Sequence, residues 1–251
     1  LLGVYGYAAQ IYCDFSGYTD IAIGCALLLG YRFPDNFDHP YRSASPQEFW
    51  RRWHISLGDW LRNYLYIPLG GSRQGLWRTC ANLCIVMLLG GLWHGADWGF
   101  VVWGGLHGLA LALHRLTDAL SKQWAWLESF WSTIAGAFLG WSLTIATVLF
   151  SWIFFRLPDL HQSATLVQHL VNYPADPEFL TQIYEEALRL ERSQLAGSLL
   201  LITLAMTLAW VGQRWLRLDL AWRVKAILAP LALFWVWAIG PEGIPFIYFA
   251  F

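Results

Sequence analysis

Apolar residues run almost unbroken from Phe130 to Phe155, from Leu195 to Val211 and from Val224 to Gly240. Each run has roughly the 17 to 25 residues that a helix needs to cross a bilayer, so each predicts a spanning helix. A fourth apolar stretch, Thr79 to His114, is interrupted by the polar, glycine-flanked WHGADWG. It predicts either two short spans in a hairpin or a broken helix pair, with the break at the histidine.

A different pattern begins at Ser45-Pro46-Gln47-Glu48. Serine as N-cap, proline at the first helical position and glutamate at the third make a capping box, predicting a helix from there to about Tyr66. On a wheel of about 100° per residue, Trp50, Trp53, Leu57, Trp60, Leu61, Tyr64 and Leu65 share one face. Arg51, Arg52, Asp59, Arg62 and Asn63 share the other. Such a helix suits the interface plane of an anionic leaflet and turns His54, on its apolar face, inward.

Composition supports the membrane reading. The chain of 251 residues is 57% hydrophobic, 17% aromatic and 13% charged, against about 25% charged in soluble domains. A net charge of −1 gives no reason to expect nucleic-acid binding. Cys13, Cys25, Cys80 and Cys84 form no CxxC pair and no zinc spacing, so they read as membrane-packed thiols and no metal site is expected. The opening LLGVYGYAAQIYC lacks a signal peptide's basic region and cleavage site and reads as part of something longer.

Loop charges orient the spans. Between Arg32 and Arg78 lie seven arginines, whereas Pro158 to Gln194 carries two arginines against six acids. The positive-inside rule makes the first loop cytoplasmic. A hairpin over Thr79 to His114 then returns to the cytoplasm at Arg115 and Lys122, and a later return falls at Arg214, Arg217 and Arg223. GPEGIPFIYFAF lies outside in this topology. The expected architecture is a single all-α, polytopic membrane domain over residues 1–251, with broken or re-entrant helices and one amphipathic interfacial helix.

Ionisable groups inside such segments are functional hypotheses by default. His94 stands out because Gly90, Gly91 and Gly95 permit the broken backbone that lines a cavity at membrane depth. Burial disfavours an imidazole's charged form, and a neutral imidazole takes a proton from a hydroxyl, which is general-base chemistry. His54 reads equally as a second such group or a packed core histidine. His107, in GGLHG, reads equally as helix-packing surface. DFSGYTD places Asp14, Ser16, Tyr18 and Asp20 around Gly17, as an interfacial polar loop or a substrate-binding one.

YCDFSGYTDIAIG, FWRRWHISLGDWLRNYLYIPLGG, GGLWHGADWGFVVWGGLHG and the final PFIYFAF occur in that order. Together they resemble the membrane-bound O-acyltransferase family, in its bacterial branch with alginate O-acetyltransferase. The resemblance implies that His94 is the catalytic residue, that His54 is the second active-site residue, and that a tunnel perforates the core. It implies the C-terminal half of such a core, members of the branch being roughly twice as long. It further implies no resident cofactor, and an acetyl group moved from acetyl-CoA or another cytoplasmic acyl thioester. The acceptor it implies is exported polysaccharide such as alginate, or a periplasmic polysaccharide-modifying acyltransferase, reached from the bacterial inner membrane. Arg51 and Arg52 then become candidates for the donor's phosphates, with lipid anchoring as the plain alternative. Peptidoglycan O-acetylation and D-alanyl transfer to teichoic acid are neighbouring activities. A proton-relay transporter and a structural membrane subunit are rivals of another class.

Overall fold

The computed structural model describes residues 2–172 and the isolated positions 197, 200 and 204. The expected spans at Leu195–Val211 and Val224–Gly240, the returns at Arg214, Arg217 and Arg223, and the PFIYFAF end lie outside the described residues. Residues 2–172 fall in one compact unit, and positions 197, 200 and 204 lie outside it; the single domain expected over 1–251 extends beyond that unit.

Helix α1 (Leu2–Leu28) runs without a break through DFSGYTD, where a polar loop was expected. Gly17 does not interrupt it. The Thr19 hydroxyl donates to the Ser16 carbonyl at 2.9 Å and that of Ser16 to the Cys13 carbonyl at 3.4 Å, so both hydroxyls are absorbed by the helix itself.

The long helix expected from Ser45 to Tyr66 is instead three pieces. Helix α2 (Pro46–Arg52) starts as predicted, with Ser45 Oγ accepting the Glu48 N–H at 3.1 Å. Glu48 reaches back one residue further than a capping box requires, to the Ala44 N–H at 2.9 Å. The chain then turns at His54, whose φ of 46° and ψ of 57° are left-handed. Helix α3 (Ile55–Leu61) follows and passes into a π-helical turn, Arg62–Tyr66. The continuous amphipathic face is therefore lost: Phe49, Trp53, Leu57 and Leu61 are buried, while Trp60 and Tyr64 are exposed.

Thr79 to His114 resolves into a helical hairpin of α4 (Leu76–His94) and α5 (Trp98–Ser121). After the short α6 (Ala125–Trp131), α7 (Ile134–Arg156) and α8 (Leu160–Asn172) complete the unit. By length and composition α4 and α7 are apolar enough to cross a membrane.

The α4–α5 contact is backbone against backbone. A Cβ on Gly91 would strike the Phe100 carbonyl, and one on Gly104 the Met87 carbonyl. Burial against lipid gains little for apolar side chains, so helices in a bilayer associate through such small-residue approaches and the dispersion contacts they allow. α7 follows the same logic. Polar Thr144 and Ser151 are buried, whereas Ile134 is 91% and Phe138 65% exposed. An apolar exterior over a partly polar interior is the arrangement lipid solvates.

Where α1, α2, α5 and α7 meet, Phe49, Trp53, Phe100, Trp103, Trp152 and Phe155 build an aromatic core. Trp53 stacks on Phe49 at 5.7 Å and Trp103 on Trp152 at 6.1 Å. Tyr41 fastens it from the connector: its hydroxyl donates to the Ala8 carbonyl at 2.7 Å, and its own carbonyl accepts from Trp141 Nε1 at 2.9 Å.

Candidate active site

His94 is the last residue of α4, and the hairpin turn begins at the next position. Its imidazole sits among aromatic rings: Trp93 at 4.9 Å, Phe155 at 5.0 Å and Trp103 at 5.1 Å between centroids. Gly95 is required beside it, because a Cβ there would lie 2.6 Å from the Phe100 ring. Among the described residues neither ring nitrogen of His94 has a hydrogen-bond partner, and the side chain is half-buried. A base with an unengaged lone pair in an aromatic pocket is chemically able to accept a proton.

His54 approaches the same place from the α2–α3 break. Its ring packs edge-on against Phe15 at 4.7 Å and lies 6.4 Å from Trp93, so Trp93 touches both imidazoles. Nδ1 of His54 lies 3.3 Å from Asn36 Oδ1. Burial pushes the His54 imidazole down to about 4, so it is neutral at physiological pH. Two histidines far apart in sequence thus meet at one aromatic wall.

His107 takes a different part. It is 2% exposed, its Nε2 pairs with Ser151 Oγ at 2.9 Å, and it packs on Phe49 and Trp50. This is the helix-packing reading. Asp97 is exposed at the N-terminus of α5 and makes no side-chain cap.

Asp14, Ser16, Tyr18 and Asp20 lie along continuous α1, with 14 and 18 on one face and 16 and 20 on another. The side chain that α1 lays on His54 is that of Phe15, which a search for polar groups passes over. Arg52 is held by two carboxylates, Asp38 at 2.6 Å and Glu48 at 2.9 Å. Its partner in the sequence reading, Arg51, instead lines a cavity of about 600 Å³ together with Arg62, Arg73, His114 and Arg115. Leu83, Val86 and Met87 line its apolar part. His54 and His94 do not line this cavity, whereas Trp50 and Ile55, on either side of His54 in the sequence, do. Asn36, Phe15, Trp103 and Phe155 carried no signal in the sequence, being a turn-forming residue and three ordinary aromatics.

The sequence model of the membrane-bound O-acyltransferase family matches residues 2–155. Among curated proteins, "Probable alginate O-acetylase AlgI" of Pseudomonas putida is 41% identical over 215 residues, 85% of this chain and 40% of that protein. The protein of the same name from Azotobacter vinelandii is 50% identical over 161 residues, 63% of this chain and 30% of that protein. "Peptidoglycan O-acetyltransferase" of Helicobacter pylori is 42% identical over 166 residues, 66% of this chain and 30% of that protein. The chain thus spans less than half the length of these relatives.

Proposed function

Since this chain belongs to the membrane-bound O-acyltransferase family, we propose that it carries the histidine pair of an enzyme that O-acetylates exported polysaccharide, alginate being the first candidate. The observation that carries the reading is the meeting of His54 and His94 across Trp93, with the His94 nitrogens unengaged. The names of the relatives from Pseudomonas putida and Azotobacter vinelandii support the substrate class.

The chemistry follows from the geometry. A hydroxyl of the acceptor gives its proton to His94 as its oxygen attacks the donor's thioester carbonyl. The C–S bond breaks, and the departing thiolate takes the proton back from His94 to leave as a thiol. Positioned general-base catalysis of this kind contributes about 10²- to 10⁴-fold. Neutral His54 assists by hydrogen bonding: its free ring nitrogen accepts from the incoming hydroxyl and orients it toward the donor.

The arginine-lined cavity suits the donor. Arg51, Arg62, Arg73 and Arg115 offer planar, permanently charged forks that match phosphate, and the apolar wall beside them suits a pantetheine-like arm. With that face cytoplasmic, the donor is acetyl-CoA or another cytoplasmic acyl thioester. The acceptor is polysaccharide or a periplasmic acyltransferase that modifies it, and the protein crosses the bacterial inner membrane several times.

The test is the O-acetyl content of exported polysaccharide, by mass spectrometry, in cells where this protein supplies the modification. His94→Ala at unchanged membrane abundance is expected to abolish it. Acetylation persisting at the wild-type level overturns the catalytic assignment and returns the chain to a structural subunit. Acetyl groups lost from peptidoglycan instead of polysaccharide redirect the acceptor to that polymer, which the Helicobacter pylori relative's name favours.

A further inference from the structure

We propose that Asn36 is a positioning residue of this site: its side-chain carbonyl fixes His54 as the Nδ1–H tautomer and leaves Nε2 as the nitrogen with the lone pair. This rests on the role given to His54 above.

Three groups converge on one atom. Asn36 Oδ1 lies 3.0 Å from the Ser56 main-chain nitrogen, 3.0 Å from Ser56 Oγ and 3.3 Å from His54 Nδ1. Oxygen and nitrogen of an asparagine amide are assigned from their partners, and here the partner decides. A main-chain N–H only donates, so the amide atom facing it is the oxygen. An oxygen that faces Nδ1 at 3.3 Å requires a proton on Nδ1, because a bare nitrogen would set lone pair against lone pair. In the competing arrangement Ser56 Oγ donates to Nδ1 across 3.5 Å. That contact is the longer one, and it leaves the repulsive pair at 3.3 Å in place.

Asn36 also holds the backbone that presents the ring. Helix α3 begins at Ile55, and its N-cap, His54, supplies no side-chain acceptor. The Ile55 N–H donates to the Asn36 main-chain carbonyl at 3.0 Å and the Ser56 N–H to its side chain. One residue, eighteen positions upstream, caps the helix in place of the N-cap. In doing so it supports the left-handed turn at His54, a conformation unfavourable for a residue with a Cβ. Backbone and ring are therefore set by the same amide. Because that amide is neutral, it orients the imidazole without drawing a second proton onto it, as a carboxylate would.

The experiment uses the full-length protein in nanodiscs, labelled with ¹⁵N-histidine, at neutral pH. Nitrogen shifts separate protonated from bare ring positions, and His54 is identified by the signals that His54→Gln removes. The expected result is a protonated Nδ1 and a bare Nε2 in the wild type; in Asn36→Asp, which keeps the acceptor, Nδ1 stays protonated and the new carboxylate shifts protonation of Nε2 to higher pH. Asn36→Leu is expected to show exchanging tautomers, with kcat lower by about 10- to 100-fold, the usual cost of losing an imidazole's orienting partner, and with the donor KM retained. A bare Nδ1 in the wild type overturns the proposal, as does a single unchanged tautomer or a wild-type kcat in Asn36→Leu. If Asn36→Leu fails to accumulate, the wild-type and Asn36→Asp spectra still decide the tautomer. Wild-type turnover in His54→Gln overturns the role of His54 instead. Loss of turnover there together with full kcat in Asn36→Leu overturns only the part given to Asn36.

Discussion

The α4–α5 hairpin and the segment from Asn36 to Tyr66 each deliver one histidine to the site, by opposite means. The hairpin is rigid through backbone proximity: Gly91 and Gly104 let the helices touch, and His94 at its tip has aromatic neighbours and no hydrogen bond among the described residues. The upstream segment has short helices, two left-handed residues, His39 and His54, and a π-helical turn, and it holds His54 through hydrogen bonds to Asn36. A base that must take up and return a proton needs its accepting nitrogen unengaged. A residue that orients the incoming hydroxyl benefits from being fixed. The two supports match the two roles.

The sharpest way to break this contrast is at the histidines themselves. His94→Ala is expected to lower transfer by at least about 10²-fold with normal membrane abundance, since the ring has no hydrogen bond to leave unpaired. His107→Ala is expected to do the reverse. It opens a cavity in the core and takes from Ser151 Oγ its bond to the imidazole, leaving only the one to the Val148 carbonyl, which costs several kcal/mol, on the order of 2–5, so the protein is depleted while the surviving fraction acts normally. Activity normalised to detergent-solubilised protein separates the two outcomes. Normal turnover in His94→Ala, or depletion equal to that of His107→Ala, would remove the distinction.

The hairpin's support is tested by neighbouring glycines. Gly104→Val drives a side chain into the Met87 carbonyl and is expected to destabilise by about 3 kcal/mol or more, at the upper end of overpacking. At Gly105 an added Cβ meets only Leu88 Cδ2 at 3.6 Å. Gly105→Ala is therefore expected to be neutral or to stabilise by up to about 1 kcal/mol through helix propensity. Thermal unfolding in detergent measures both. Equal effects at the two positions would mean that the helices are not in backbone contact.

The contrast also governs what the sequence made legible. Helices α4, α5 and α7 follow from long apolar runs, and the break after His94 follows from its glycines, because those signals are local. The break at His54 is not local. Ser45 and Glu48 start a helix as their spacing requires, and nothing between Trp50 and Leu61 says stop. The stop comes from Asn36, whose two oxygens take the N–H groups that a continuing helix would use. A wheel drawn through such a break grouped Trp60 with Trp53, although one is exposed and the other buried. The same wheel paired Arg51 with Arg52, and only the fold shows Arg52 held by Asp38, a residue before the helix. Gly17 failed in the opposite direction: it offered a break that the surrounding helix did not take.

That division of the arginines yields a smaller effect. Arg51→Ala is expected to raise the donor KM about tenfold with kcat retained, since a charge-assisted hydrogen bond contributes about 1.5–3 kcal/mol and the loss is uniform binding. Arg52→Ala removes a link between the connector and α2 and is expected to leave KM alone while lowering stability by about 1 kcal/mol, as for partly exposed ion pairs. Steady-state kinetics with a soluble thioester donor would tell them apart. A KM change in Arg52→Ala without one in Arg51→Ala would move the donor away from the arginine-lined cavity.

The smallest effect separates the backbone at position 54 from its side chain. His54→Ala and His54→Gly both delete the imidazole, its bond to Asn36 and its contact with Phe15, so they share every loss except one. At φ 46° alanine still carries the Cβ that disfavours a left-handed residue, whereas glycine does not. In an ordinary helix glycine is the less stable of the two by about 1 kcal/mol. Here the order is expected to invert, with His54→Gly more stable than His54→Ala by about 0.5–1 kcal/mol after the greater freedom of glycine in the unfolded chain is subtracted. Both variants should lack transfer activity. A more stable alanine variant would mean that the chain straightens into one helix once the ring is gone, so that the imidazole's bond to Asn36, and not the capping of α3, keeps the break open.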